Sequence, residues 1–103
     1  MHQNMNANFN AAFESFYESA KKLVERESDN TLTVRHGRKY IKIVMRRKSQ
    51  TQGGSAWAFI SLKAGDVLKA AGWSKPAPHL RGNIFDSSNG LRFITWTGPM
   101  YLK

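Results

Sequence analysis

The sequence predicts an α+β domain, one N-terminal amphipathic helix packed on a mostly antiparallel sheet of about four to five strands. Three observations carry that prediction. Phe9, Phe13, Phe16, Ala20 and Leu23 recur at alternating spacings of four and three, the period of a helix with one apolar face. From Thr31 onward the apolar period changes to two. Turn signals built on Gly and Asn then separate short runs rich in β-branched and aromatic residues. At 103 residues the chain reads as a single domain, 1–103, able to bury about two-thirds of its unfolded surface without a metal or disulfide staple.

Residues 1–8 are Asn/Gln-rich and read as a disordered, frayed lead-in. The helix is predicted over 8–28, with Asn6, Asn8 or Asn10 as its cap and Asp29-Asn30 as its end. Ala12, Tyr17 and Val24 widen the apolar stripe, while Glu14, Glu18, Lys21, Lys22, Glu25 and Arg26 form the outer face. The Phe stripe is expected to pack on the chain's own sheet. Its alternative use is a dimer seam through residues 9–24.

Two strands follow, Thr31–Arg35 and Lys39–Arg46, joined by a two-residue turn at His36-Gly37. Ile41, Ile43 and Met45 share one face of the second strand; Tyr40, Lys42, Val44 and Arg46 share the other. Residues 47–54 read as a flexible basic loop. Ser55–Leu62 is a third strand, and Lys63-Ala64-Gly65-Asp66 a tight turn with Gly in the left-handed position. Val67–Ala71 is most simply a fourth strand, a helical turn capped by Asp66 being the alternative. Residues 72–90, with Pro76 and Pro78, read as a long ordered loop. Asn89-Gly90 is a hairpin signal before a fifth strand, Leu91–Trp96.

Charge divides the chain. Residues 1–30 hold three Lys/Arg and five Asp/Glu; residues 31–103 hold thirteen Lys/Arg and only Asp66 and Asp86. A solubility coat mixes signs. A basic β-rich part behind a nearly neutral helix implies a polyanionic partner, most often nucleic acid. The absence of cysteine excludes disulfides, Cys-ligated zinc and a Cys nucleophile. His2, His36 and His79 lack metal-ligand spacing, and no cofactor is implied. No apolar run reaches transmembrane length and no signal peptide is visible, so no membrane is expected and the cytoplasm is the default compartment.

Three constellations bear on function. Arg35, Arg38, Lys39, Lys42, Arg46, Arg47 and Lys48 lie on the hairpin and its trailing loop, where they can follow a phosphate backbone as β-ribbon arms do; the plain alternative is a charged strand edge that blocks aggregation. Arg81 and Arg92 extend the patch. Trp57 and Phe59 are two apart on one strand, and Trp57, with Trp73 or Tyr40, is a candidate to stack on bases of a single strand. The competing reading buries both as core. Ala56-Trp57-Ala58-Phe59-Ile60 is similar to the second aromatic motif of RNA-recognition-motif domains, but Ser55 and Leu62 depart from that motif and the order of elements differs. Finally, His79, Arg81 and Asp86 lie in the Pro-containing segment. A catalytic role there would need a metal or further carboxylates, so the turn reading, with Asp86 holding Arg81 or the loop backbone, is preferred and no enzyme is expected.

Gly65-Asp66-Val67-Leu68-Lys69-Ala70-Ala71-Gly72-Trp73, Pro76-Ala77, Arg81-Gly82-Asn83-Ile84-Phe85-Asp86 and Trp96-Thr97-Gly98-Pro99-Met100-Tyr101-Leu102 together resemble a family of small tailed-bacteriophage and marine viral proteins. The resemblance covers residues 38–103 and leaves out the helix. It implies expression in the cytoplasm of a bacterial host and no residue roles. The sequence therefore predicts a non-enzymatic nucleic-acid-binding protein, with single-stranded DNA or RNA favoured over duplex. A protein that docks on an acidic host surface is the first alternative, and a virion-associated structural protein the second.

Overall fold

The computed structural model describes the backbone of residues 2–100 and the side chains of residues 7–100. Helix α1 spans His2–Glu27. Strands follow as β1 (Asn30–His36), β2 (Tyr40–Arg47), β3 (Ser55–Ser61), β4 (Asp66–Ala70), β5 (Pro76–Asn83), β6 (Ile94–Thr95) and β7 (Gly98–Pro99). Strands β1 to β5 form one antiparallel sheet in chain order, and β6 pairs only with β7. The α+β class is as predicted. Met1 of the lead-in and Tyr101–Lys103 of the closing segment lie outside the described residues.

The helix begins earlier than the sequence pattern implies, with 1–8 as a frayed lead-in and Asn6, Asn8 or Asn10 as the cap. All three asparagines fall inside α1. Phe9 anchors the early turns: its ring stacks on Phe13 at 6.5 Å and meets Phe85 edge-on at 6.1 Å. With that turn fixed, each preceding residue adds a hydrogen bond to an existing nucleus. At the other end Ser28 Oγ donates to the Val24 carbonyl and accepts from the Asn30 amide, closing the helix.

Phe13, Phe16, Ala20 and Val24 are buried against Leu32, Ile41, Ile43, Ile60 and Val67. The Phe stripe is thus taken up by the chain's own sheet, with Val24 rather than Leu23 as the buried residue of its last turn. On β2 the apolar and basic faces fall as the alternation requires: Ile41 and Ile43 join the core, while Lys42 points away. The hairpin turn sits later than predicted. Its tip is Arg38-Lys39, closed by the Gly37 amide donating to the Tyr40 carbonyl at 2.9 Å. Gly37 is needed for close approach, because a Cβ there would lie 2.9 Å from that carbonyl. Gly65 takes a φ of 78° in its turn, and β4 is a strand.

Residues 76–83, read from sequence as loop, form β5, the edge strand of the sheet. Pro76 and Pro78 are two apart, so their nitrogens share one side of the strand, and an edge strand has a side that needs no donors. The predicted fifth strand, Leu91–Trp96, shrinks to Ile94–Thr95. Asn89 and Gly90 do take left-handed φ values of 57° and 79°, but they join no two strands. Gly90 instead presses on the core, where a Cβ would lie 3.1 Å from Phe16 and from Val67.

Three register shifts shape the sheet, one between β2 and β3 and two between β4 and β5, the last where Leu68 pairs with Leu80 and Ala70 with Pro76. On β3, Ile43 pairs with Ala58 and Val44 with Ala56, leaving Trp57 as the extra residue. On β5, Val67 pairs with Gly82 and Leu68 with Leu80, leaving Arg81 extra. A bulge re-aims the residue it inserts. Trp57 joins the core under the β6–β7 pair, with its Nε1–H donating to the Trp96 carbonyl at 2.9 Å. Lys69 Nζ donates to the Pro99 carbonyl nearby. Helix α1 and the β6–β7 pair therefore share one face of the sheet. Among the described residues, no helix or strand covers the other.

Candidate nucleic-acid interface

One row of side chains crosses all five strands on the open face, in cross-strand register: Arg35, Lys42, Phe59, Leu68 and Leu80. It is basic at the β1 end and apolar at the β5 end. Arg35 and Lys42 stand directly opposite each other, an arrangement in which like charges repel. Trp73, from the turn between β4 and β5, lies over both. Lys42 Nζ is 3.8 Å from a Trp73 ring centre and the Arg35 guanidinium 5.4 Å. The negative face of the indole offsets the repulsion by cation–π attraction, about 0.5–1 kcal/mol at an exposed site. Trp73 itself remains 43 % exposed.

The other hairpin cations frame this stack. Arg38 and Lys39 are exposed at the tip. A shallow cleft of about 310 Å³, lined by Arg35, Arg38, Lys39, Tyr40, Lys42 and Phe59, runs beneath them. Tyr40 is half-buried, edge-on to Phe59 at a centroid distance of 6.0 Å. Arg46 is half-buried and donates to the Thr51 carbonyl, folding the basic loop back on β2. Arg47 is exposed at the end of the strand. Lys48 is exposed, with Nζ donating to the Glu25 carbonyl at 3.0 Å, where a cation complements the C-terminal end of α1. Among the described residues, none of Arg35, Arg38, Lys39, Lys42, Arg46, Arg47 and Lys48 is paired with a carboxylate.

Three predicted contact residues do not belong to this surface. Trp57 is 2 % exposed; its bulge and its hydrogen bond to Trp96 make it core, so it offers no stacking face. Phe59, its neighbour in the predicted aromatic pair, is also buried, though it stays in the open-face row beside the cleft. Arg81 is 8 % exposed. Its bulge turns it inward, where Nε donates to the Met100 carbonyl at 2.9 Å and Nη1 to the His79 carbonyl. Arg92 is exposed, but it follows the Gly90 turn on the helix side of the sheet, over the Phe93 ring at 5.7 Å. It does not extend the hairpin patch.

Arg81 and Asp86 are tied to different groups. Asp86 holds loop backbone, not Arg81: its carboxylate accepts from the amides of Ser88, Gly90 and Asn83 and from the Ser88 hydroxyl. Those donors, the Gly90 amide foremost, lower its pKa to about 2. Burial pushes the Tyr17 phenol up, with the Glu25 charge adding to the effect; its hydroxyl donates to the Leu32 carbonyl at 2.8 Å. Among the described residues, no group of three or more His, Asp or Glu side chains is arranged to hold a metal ion, and no helix is long and apolar enough to cross a membrane.

The Arg35–Trp73–Lys42 stack is invisible as a unit in the sequence, because nothing in the linear spacing links position 73 to the first hairpin. Leu80, 53 % exposed at the end of the same row, is also missed by sequence reasoning. Alternation along β5 is the signal that would find it, once that segment is read as a strand.

A family model matches residues 1–102, and the chain belongs to that family, a family of unknown function (DUF7717). The match takes in the N-terminal helix. No curated protein and no solved structure matches the chain.

Proposed function

For this member of the DUF7717 family, we propose a non-enzymatic nucleic-acid-binding activity carried by the open face of the sheet, with single strands as the preferred substrate. The observation that carries it is the Arg35–Trp73–Lys42 stack on a face with no covering element among the described residues. Single strands are bound by cations that follow the backbone together with aromatics that receive bases. Both are present side by side, and the shallow cleft next to them supports a single nucleotide chain better than the broad contact of a duplex groove. Arg35, Lys42, Arg38 and Lys39 contact phosphates in this reading. Trp73 exchanges its two cations for a base as phosphates take them over. Arg47 and the exposed side of Arg46 lengthen the track. The viral resemblance adds a setting, the cytoplasm of a bacterial host, and no residue role.

The test is a titration of the full chain with fluorescent single- and double-stranded oligonucleotides at two salt concentrations, following anisotropy and Trp emission together. Single strands are expected to bind more tightly than duplex and to quench Trp emission. Arg35→Ala with Lys42→Ala is expected to weaken binding about tenfold or more and to flatten the salt dependence by about 0.7 in log–log slope for each phosphate no longer neutralised. Equal affinity in the double variant, with an unchanged far-UV spectrum, would remove the assignment.

A further inference from the structure

A second concavity lies on the opposite side of the sheet, between the N-terminal half of α1 and the end of the sheet that carries the hairpin tip. Its volume is about 870 Å³, within the range of binding clefts. Phe9, Phe13 and Tyr17 stack along its helix wall with centroid spacings of 6.5 and 5.9 Å. Ile41 lies on its floor, and Leu62 and Phe85 stand at its rim, 37 % and 52 % exposed.

The exposure of Phe85 is built in. Its amide donates to Asn83 Oδ1 at 2.8 Å, Asn83 Nδ2 donates to Asp66 and to the Ala64 carbonyl, and the following residue is the Asp86 hub. These bonds fix the backbone that carries Phe85. Held outward against Phe9, it forms a wall.

The charge around the groove indicates what it takes. Within the groove Lys63 faces one carboxylate, Glu14, so the cationic excess lies beyond its rim. Leu62 and Lys63 also line a shallow cleft of about 480 Å³ that continues toward Arg38 and Lys39. An extended chain leaving the aromatic groove past Leu62 thus meets Lys63, Lys39 and Arg38 in succession.

We propose that this groove binds a protein segment of defined pattern: a large apolar or aromatic anchor seated among Phe9, Phe13 and Phe85, followed by acidic residues that lie over Lys63, Lys39 and Arg38. The apolar groove supplies burial, and the cationic cleft sets direction and selects against basic partners. The aromatic groove lies apart from the open face, while its cationic end shares Arg38 and Lys39 with it.

The test is selection of a random peptide display library on the full-length protein, followed by affinity measurement on the enriched peptides made synthetically. Enriched sequences are expected to share an aromatic or Leu anchor with two or more Asp/Glu on one side of it. Phe85→Ala is expected to weaken them about tenfold, and Lys63→Glu to weaken them while lowering their salt sensitivity. Both positions are exposed, and a far-UV spectrum with an unfolding midpoint checks that each variant is folded. Phe85→Ala leaves oligonucleotide affinity unchanged, which separates this site from the open face. Failure to enrich any common pattern, enrichment of peptides without carboxylates, or affinities indifferent to Phe85→Ala would each overturn the proposal.

Discussion

The two faces of the sheet differ in how they treat the aromatic and cationic side chains that are candidates for nucleic-acid contact. The helix-side face draws them in. Trp57 and Arg81, each the extra residue at a bulge, end up buried and hydrogen-bonded to backbone carbonyls of Trp96, Met100 and His79. The open face leaves them out: Arg35, Lys42 and Trp73 meet one another at the surface. An indole and a guanidinium therefore meet different ends on the two faces. On one face they close the core, and on the other they are available to a partner.

The strongest way to break that contrast is to weaken the closed face. Phe16 is fully buried between α1 and the sheet and touches the Gly90 turn. Phe16→Ala is expected to cost about 3–5 kcal/mol, the transfer of an aromatic ring plus the cavity it leaves. In a domain whose whole stability is of order 5–15 kcal/mol, this leaves a barely folded chain. Urea unfolding measures it, and a loss below about 1 kcal/mol would mean that the helix is not docked as described.

Next in size is the comparison of the two arginines. Arg81→Ala orphans the carbonyls of Met100 and His79, at a cost of about 1–3 kcal/mol. Its affinity for single-stranded oligonucleotide, measured where it is folded, is expected to equal that of the wild type. Arg35→Ala is expected to do the reverse, keeping the unfolding midpoint and losing affinity. If both lost affinity equally, the buried arginine would have to be reached by ligand, and the division between faces would fail.

This pair also marks how far the sequence can be read. The Phe stripe, the inward Ile41 and Ile43 and a strand after the Gly65 turn follow from local periods and turn chemistry; the stripe ends on Val24 rather than Leu23, and the strand expected at 67–71 runs Asp66–Ala70. Trp57 and Arg81 obey no local period. A bulge inserts one residue against a partner strand elsewhere in the chain, and only the pairing with Ile43-Val44 or Val67-Leu68 reveals it. The Pro-containing β5 is opaque for a related reason: Pro is excluded from central strands and tolerated on edges, so the segment reads as loop until its place in the sheet is known. Of the candidate site, the basic hairpin is legible in sequence. Trp73 is one of several aromatics there, and its partners are not visible.

A smaller effect sharpens the open face. Trp73→Ala removes the cation–π cover from Arg35 and Lys42 and is expected to lower stability by only about 0.5–1 kcal/mol. The same change is expected to abolish oligonucleotide quenching and to cost about 1–3 kcal/mol of single-strand affinity, the worth of one stacked base. Retained quenching in this variant would assign the emission change to Trp96, 37 % exposed on the helix side.

The smallest effect is the pH dependence of the Asp86 turn. The carboxylate is held at a pKa of about 2, below its ordinary 3.8, by the Gly90 amide first and then the Ser88 hydroxyl and further loop amides. A lowered folded-state pKa means the unfolded chain takes up the proton more readily. The stabilisation is therefore fully present above the unfolded value and fades as pH falls from about 4 to about 2. Asp86→Asn removes the charge and should flatten that share of the acid profile while lowering stability at neutral pH. The turn it releases carries Asn89, whose amide donates to the Ala12 carbonyl on α1, and Gly90, which abuts Phe16. Acid should thus speed local amide exchange at Ser88 and Gly90, after correction for intrinsic rates, before it affects the strand pairing of Arg35 with Lys42. Exchange that rises together at both places would show one cooperative unit, and the two faces would then share their stability even though they differ in chemistry.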